Sequence, residues 1–503
     1  MSEPQSPYEK PTLDKDLEKF SFIEASTQFV LMRSAAPGLA AIFLAMAAVL
    51  SSFFAGTSAA AAVIVAGAVL AGYMAMNIGA NDVTNNVGAA VGAQAISLTG
   101  ALAIAFVFEI AGAFLAGGHV VETIKSGIVD GASVPDADTM TAIMLAALLS
   151  AAIWVNLATW LNAPVSTTHS IVGGIMGAAT AAAGSGAVDW HVLGQIVVSW
   201  ITSPAIGAAI AIAFLWFIKE TILYADDKVA AARRWLPPLL GLMAGAFLTY
   251  LLIVVESRVP GLTFLRAVAA GCVAGGLGYL WLRGAIARQS AGLENRNQSL
   301  RVLFRLPLVF SAAALSFAHG ANDVSNAIGP LAAIVEAAGI QSVARNLDAP
   351  LWVTTIGAFG ISVGLALFGP RLIRVVGTQI TKLNPVRAFC VAMSAAITVI
   401  IASALGLPVS ATHVVIGAVF GVGLFREWYT ARSAKRRRYI LARAEGRPEP
   451  AGEPARAGSG GRPHYRYLVR RSYLASILAA WLVTVPASGL VAALLVLLLR
   501  PVL

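Results

Sequence analysis

Gly79-Ala80-Asn81-Asp82-Val83-Thr84-Asn85 is written a second time, 241 residues further on, as Gly320-Ala321-Asn322-Asp323-Val324-Ser325-Asn326. Each copy sets an Asn-Asp-x-x-Asn cluster inside sequence that is otherwise apolar. Uncompensated aspartate and asparagine are expensive in hydrocarbon. Near-identical polar cores at matching places in two halves therefore mark the functional centre of a repeat-built membrane protein.

The rest of the composition agrees. Of 503 residues, 58% are apolar and 12% charged, with a mean hydropathy of +0.78, whereas soluble domains carry about 25% charged residues. The 47 glycines suit helices packed closely through small residues. No strand-like alternation is sustained, so the reading is an all-α membrane protein, not a barrel. The net charge of +10 gathers in a few loops, which fits retention of Lys and Arg on the cytoplasmic side and argues against a nucleic-acid partner. Cys272 and Cys390 stand alone in apolar runs and read as small packing residues. Residues 1–37 read as a cytoplasmic tail with a short amphipathic helix over Asp16 to Met32, and lack the order of a cleavable signal.

Taken in order, the chain divides into a first repeat over 38–218 with an additional first span, a two-span linker over 219–305, and a second repeat over 306–503 with a basic insert at 426–472. About 12–13 spans are expected, thirteen by direct count. The loop 118–138 holds Glu122, Asp130, Asp136 and Asp138 against one lysine, Lys125, and is placed outside. The basic segments 219–234, 283–305, 371–387 and 426–471 are placed inside. That assignment makes the two motif segments enter from opposite sides, so the halves read as inverted-topology repeats.

Each half adds a second polar element: Pro164-Val165-Ser166-Thr167-Thr168-His169 and Pro408-Val409-Ser410-Ala411-Thr412-His413. Gly79 and Gly320 are expected to break their helices, the first restarting beyond Asn86. Pro164 and Pro408 suit a first helical turn. Helix N-termini with hydroxyls and amides suit a tetrahedral oxyanion, and no Arg or Lys occurs in any of the four elements. Asp82 and Asp323 repel anions, so they either bind a coupling cation or accept hydrogen bonds from a protonated substrate. Phosphate near neutral pH still carries one or two protons (second pKa about 6 for phosphate esters) and sulfate carries none, which leans towards phosphate, with Na+ neutralising the rest. His169 and His413 suit either a proton relay or a packed, orienting role. Glu109 is an intramembrane acid and so a candidate, although its counterpart region Phe359-Gly360-Ile361 holds none. Asn156 and Asn162 read as interhelical hydrogen-bonding residues. No nucleophile–base pair or cofactor motif points to an enzyme.

The paired Gly-Ala-Asn-Asp-Val-x-Asn and Pro-Val-Ser-x-Thr-His elements closely resemble the inorganic phosphate transporter (PiT) family, over residues 60 to 500. The resemblance implies cation-coupled phosphate uptake, with Na+ or H+ as the driving ion, in a homodimer of around twelve spans per chain. The setting is a multi-pass protein of the plasma (inner) membrane, without a cofactor. Asp82, Asn85, Ser166, Thr167, Thr168, Asp323, Asn326, Ser410 and Thr412 would line the substrate site. Asn81, Asp82, Asn322, Asp323 and Glu109 would serve the cation. The family also includes sulfate permeases, and a channel or sensor is the reading from another class. Two departures bear on the site: Ala411 stands where a hydroxyl residue is common, and Thr84-Asn85-Asn86 where small residues are.

Overall fold

The computed structural model describes residues 35–58, 60–161, 165–256, 259, 261–340, 349–379, 384–444 and 471–501. Expectations on the tail up to residue 34, the centre of the 426–472 insert, Asn162, Pro164 and Lys382 lie outside them. The described residues are helical, with no strand beyond one isolated Val129–Val188 bridge. In hydrocarbon the helix is the form that satisfies its own backbone. Among the described residues, eleven helices are long and apolar enough to cross a bilayer, or twelve when one bent pair is counted as a span.

The first half runs α1 (Ala35–Ala55), α2 (Ala61–Gly92), α3 (Leu98–Ala116) and a short α4 (Gly118–Glu122). It continues through α5 (Ala137–Trp160), α6 (Thr167–Ala183) and α7 (Trp190–Ile218). The linker supplies α8 (Lys228–Val254), α9 (Phe264–Gln289) and α10 (Asn297–Leu303). The second half runs α11 (Arg305–Asp323), α12 (Ser325–Ala337), α13 (Leu351–Gln379), α14 (Pro385–Ala404), α15 (Ala411–Arg432), α16 (Ala434–Ala444) and α17 (Arg471–Leu499). The count falls short of thirteen at α6. Its 17 residues reach roughly 25 Å at 1.5 Å per residue, less than the hydrocarbon thickness of about 30 Å.

Two expectations about helix breaks are corrected. α2 runs unbroken through Gly79 and Asn86, and the second motif is interrupted only at Val324, whose backbone stays right-handed helical. The glycines serve contact instead: a Cβ at Gly79 would collide with the Ile361 carbonyl, and one at Gly320 with that of Glu109. The breaks fall between α5 and α6 and between α14 and α15, at the Pro-Val-Ser elements. Pro408 lies three residues before Ala411, the first residue of that second helix, and takes no part in its first turn.

The halves exchange packing partners. α2 lies along α13 of the other half, and α3 along α11. Likewise α6 packs on α17 and α15 on α7, with Gly173 against Val485 and Ser488, and Gly417 against Pro204. The glycine contacts fix the equivalence of the halves more closely than sequence does. Glu109 corresponds to Ile361, one residue past the Gly360 beside which it aligns by eye.

Charge separates the two ends. At one, Lys125 bridges Glu122 (2.9 Å) and Glu336 (3.2 Å). Burial alone would lower the Lys125 pKa, but these two carboxylates raise it on balance. At the other end the basic segments meet, with Lys435 against Glu220 and the Arg233 guanidinium on the Ser290 carbonyl.

Gly320→Ala is expected to destabilise the purified protein by about 1–3 kcal/mol, the usual cost of overpacking. Gly284→Ala, where a Cβ meets nothing within 4 Å, should hold or slightly raise the melting midpoint, since alanine is the better helix former. Thermal unfolding in detergent, run on both, compares them.

Candidate functional site

α6 and α15 begin at the centre of the bundle, because serine stops each one. Ser166 accepts the His169 N–H at 3.1 Å, and Ser410 accepts the His413 N–H at 3.3 Å. These are N-caps, each satisfying one of the four donors that a helix start leaves unpaired. The first-turn N–H groups of Thr167, Thr168, Ala411 and Thr412 have no intrahelical partner and add a positive dipole end. Ser166, Thr167, Thr168, Ser410 and Thr412 are all buried.

The motif carboxylates meet these helix starts. Asp82 Oδ1 accepts from Asn81 (3.0 Å), Asn85 (3.0 Å) and the Thr412 hydroxyl (2.8 Å). Asn85 also donates to Thr412 Oγ1 at 2.8 Å. In the other half, Asn326 donates to Thr168 Oγ1 at 3.1 Å, and Thr168 donates to the Val409 carbonyl at 3.1 Å. Each motif thus grips the helix start belonging to the opposite half. Thr167 Oγ1 lies 3.3 Å from Asp82 Oδ2 and 3.4 Å from Asp323 Oδ2, midway between the two acids. Its one hydrogen can serve only one of them. Ala411 is the equivalent residue of the second half, so this bridging hydroxyl exists once.

Sequence reading passed over His319. It lies 3.3 Å from Asp323 Oδ2 and 3.7 Å from Asp82 Oδ2 through Nε2, and 3.3 Å from Glu109 Oε1 through Nδ1. These are ion-pair distances without hydrogen-bond geometry. The Asn86 side chain holds Glu109 Oε1 at 2.7 Å. Glu109 and His319 are the two ionisable residues here that the repeat does not copy, since Ile361 and Ile78 occupy their equivalent places. A reading keyed to duplicated residues therefore finds neither as a pair. The available signal was spacing: His319 sits one helical turn before Asp323, within an apolar run.

The remaining predicted residues separate by role. Asn322 donates to Ser403 Oγ (3.0 Å) and the Leu407 carbonyl (3.1 Å), and accepts the Val409 N–H (3.1 Å). It fastens the α14–α15 connection and spends its polar atoms there. Asn81 reaches the Val165 carbonyl at 3.4 Å. The rings of His169 and His413 meet edge-to-face with centroids 4.4 Å apart, His169 against Trp200 and His413 stacked on Trp481. None of their four ring nitrogens has a hydrogen-bond partner, so the contacts favour the packed role over a relay. Asn156 donates to the Tyr73 hydroxyl, an interhelical bond as expected.

Unpaired atoms point into the centre: Asp323 Oδ1, Asn326 Oδ1 and Glu109 Oε2 are buried without a partner. Ligand atoms of Asp82, His319 and Asp323 lie within 4.8 Å of one another. Three carboxylates against one imidazole leave room for added positive charge, and oxygen donors suit a hard cation. The free N–H groups beside them suit an anion.

Residues 78–492 match the profile of the phosphate transporter family. A candidate phosphate permease of Helicobacter pylori (strain J99) is 45% identical over 500 residues, 91% of this chain and 93% of its own. One of Pyrococcus abyssi (strain GE5) is 36% identical over 422 residues, 84% of this chain and 94% of its own. The solved structure of a sodium-dependent phosphate transporter superposes with a TM-score of 0.76 at 30% identity, across 88% of this chain and all of that one.

His319→Leu removes the one cationic candidate from among Glu109, Asp82 and Asp323. Stability should fall by about 3–5 kcal/mol, as when a buried ion pair loses one partner. Adding Glu109→Leu should restore part of it, and a double-mutant cycle by thermal unfolding reads the coupling.

Proposed function

The chain belongs to the phosphate transporter family, and from that premise we propose that it takes up inorganic phosphate by symport with Na+ or H+, alternating access around Asp82 and Asp323. The observation that carries this reading is the meeting of two motif carboxylates with two inward-facing helix starts. Cation and anion places are adjacent there, each made partly by the opposite half.

Order follows from charge. A phosphate approaching Asp82 and Asp323 meets repulsion that the low dielectric of the interior magnifies. The cation binds first, on the carboxylate, amide and hydroxyl oxygens around Asp82, Asp323 and Asn326, and turns the site from repulsive to attractive. Phosphate then takes the hydroxyls of Ser166, Thr168, Ser410 and Thr412 with the first-turn N–H groups of α6 and α15. Its own proton is donated to a motif carboxylate, a bond that sulfate cannot make near neutral pH. The sodium dependence of the structural relative supports Na+ as the driving ion. The basic end of the bundle faces the cytoplasm of a cell whose plasma membrane the protein spans.

In proteoliposomes, phosphate uptake should follow an imposed Na+ gradient, stay indifferent to sulfate, and fall roughly 10–100-fold in Asp82→Asn, the range for losing a charged hydrogen-bonding group. Sulfate uptake in place of phosphate would overturn the substrate. Uptake following only a H+ gradient would move the coupling from Na+ to protons.

A further inference from the structure

A cavity of about 420 Å³ opens at the acidic end of the bundle. Its walls are the end of α4 (His119, Glu122), Thr123, the start of α7 (Gln195, Ile196) and Leu405–Leu407 of the α14–α15 connection. Gln195 and Leu405 are exposed, so the cavity opens to solvent. At about 30 Å³ per water it holds roughly 14 water molecules, room for one hydrated oxyanion. Little chain separates it from the transport centre. Leu407 lines the cavity, and the Val409 carbonyl takes the Thr168 hydroxyl on the other side. Two residues span at most about 7 Å.

Side chains, more than secondary structure, hold this floor. Four consecutive carbonyls each accept from a different element: Gly406 from Thr123 (2.7 Å), Leu407 from Asn322 (3.1 Å), Pro408 from Trp200 (3.0 Å) and Val409 from Thr168 (3.1 Å). Gly406 takes φ +69°, where a side chain would be strained. Asn322, Trp200 and Thr168 are buried. Thr123 is half-buried and lines the cavity, in a π-helical turn over Thr123–Gly127. Its oxygen lies nearer the Gly406 carbonyl than that of His119 in its own turn, 3.2 Å away. Of the four bonds, this is the one whose donor water in the cavity can reach.

We propose that this cavity is the outer vestibule of the transport centre, that residues 405–409 are its movable floor, and that Thr123 is the positioning residue that keeps the floor closed. The proposal rests on the reading that cation and phosphate meet at Asp82 and Asp323, with the acidic end facing outside. Glu122 on the wall shares one lysine, Lys125, with Glu336. The three leave one negative charge, so a cation arrives ahead of the anion, the order that the centre itself requires. Floor and centre are linked through Thr168, whose one hydrogen serves either the Val409 carbonyl or a bound phosphate oxygen.

The test is labelling of the full chain in sealed right-side-out membrane vesicles with a membrane-impermeant maleimide. The background is Cys272→Ala, since the remaining Cys390 is buried. Leu407→Cys reports the floor, Gln195→Cys the wall, and the exposed Arg437→Cys the basic end. Leu407→Cys should be labelled from outside, as Gln195→Cys is, whereas Arg437→Cys should need opened vesicles. Thr123→Val should speed labelling at Leu407→Cys about 3–10-fold, the shift that one hydrogen bond makes between closed and open floor. Thr123→Ser, which keeps the hydroxyl, should restore the slow rate, and labelling of Gln195→Cys should be indifferent to both. Amide hydrogen exchange across 405–409 should quicken in the same order, without any cysteine. The proposal is overturned if Leu407→Cys is labelled only in opened vesicles, or if threonine and valine give equal rates. A rise that serine does not reverse, or that Gln195→Cys shares, overturns it as well. None of these readings needs phosphate, so loss of phosphate uptake with the labelling pattern intact would strike the substrate and leave the vestibule standing.

Discussion

Two carboxylates within reach of one threonine hydroxyl, deep in an apolar bundle, set the terms for the rest of the molecule. Asp82 and Asp323 are each about 1% exposed, where an unpaired charge is costly. Everything polar nearby is arranged around that cost. Asn81, Asn85 and Thr412 spend donors on Asp82, His319 stands against both acids, and Thr167 lies between them. What they leave unpaired is acceptor capacity of a kind that suits a cation, and the two helix starts beside it offer N–H groups that suit an anion. Binding and fold are in this sense one electrostatic arrangement.

The exchange of helices between halves is what lets a duplicated sequence build a single site. A repeat that packed only on itself would make two centres, each with one acid and one helix start. Because α2 lies on α13 and α3 on α11, the motif of one half meets the hydroxyls of the other. The duplication is also imperfect where it matters. Thr167 faces no hydroxyl twin, and Glu109 with His319 replaces what is Ile361 with Ile78 on the other side. The second side buries an apolar contact, so the two halves offer unequal surroundings to otherwise matching ligands.

Much of this was legible from residues alone, for stated reasons. Apolar length gives helices, charge counts separate the two ends, and the repeated Asn-Asp clusters name the acids. The Pro-Val-Ser elements announce helix starts, although at the second one the serine caps the helix and the proline stays outside its first turn. Two kinds of information were not local. The glycines at 79 and 320 looked like places for the backbone to turn, since closeness to Ile361 and Glu109 belongs to tertiary packing that no neighbouring residue reveals. His319 escaped because it is single: part of its meaning comes from Glu109 on the neighbouring α3, a contact that no duplicated residue marks. The one-residue difference between Gly360 and Ile361 as the partner of Glu109 has the same origin. Helix register across a repeat is set by contact, and sequence similarity in small residues is too weak to fix it.

The interleaved packing also governs how the chain is made. Gly79 is built to meet Ile361 and Gly173 to meet Val485, partners that are synthesised late. At ordinary translation rates of about 5–20 residues per second, those partners follow on the order of tens of seconds later. For that interval the first half sits in the bilayer with its polar centre half made. Asp82 waits there without Thr412 or His319. The contacts that join the halves are complete only when the last helix arrives.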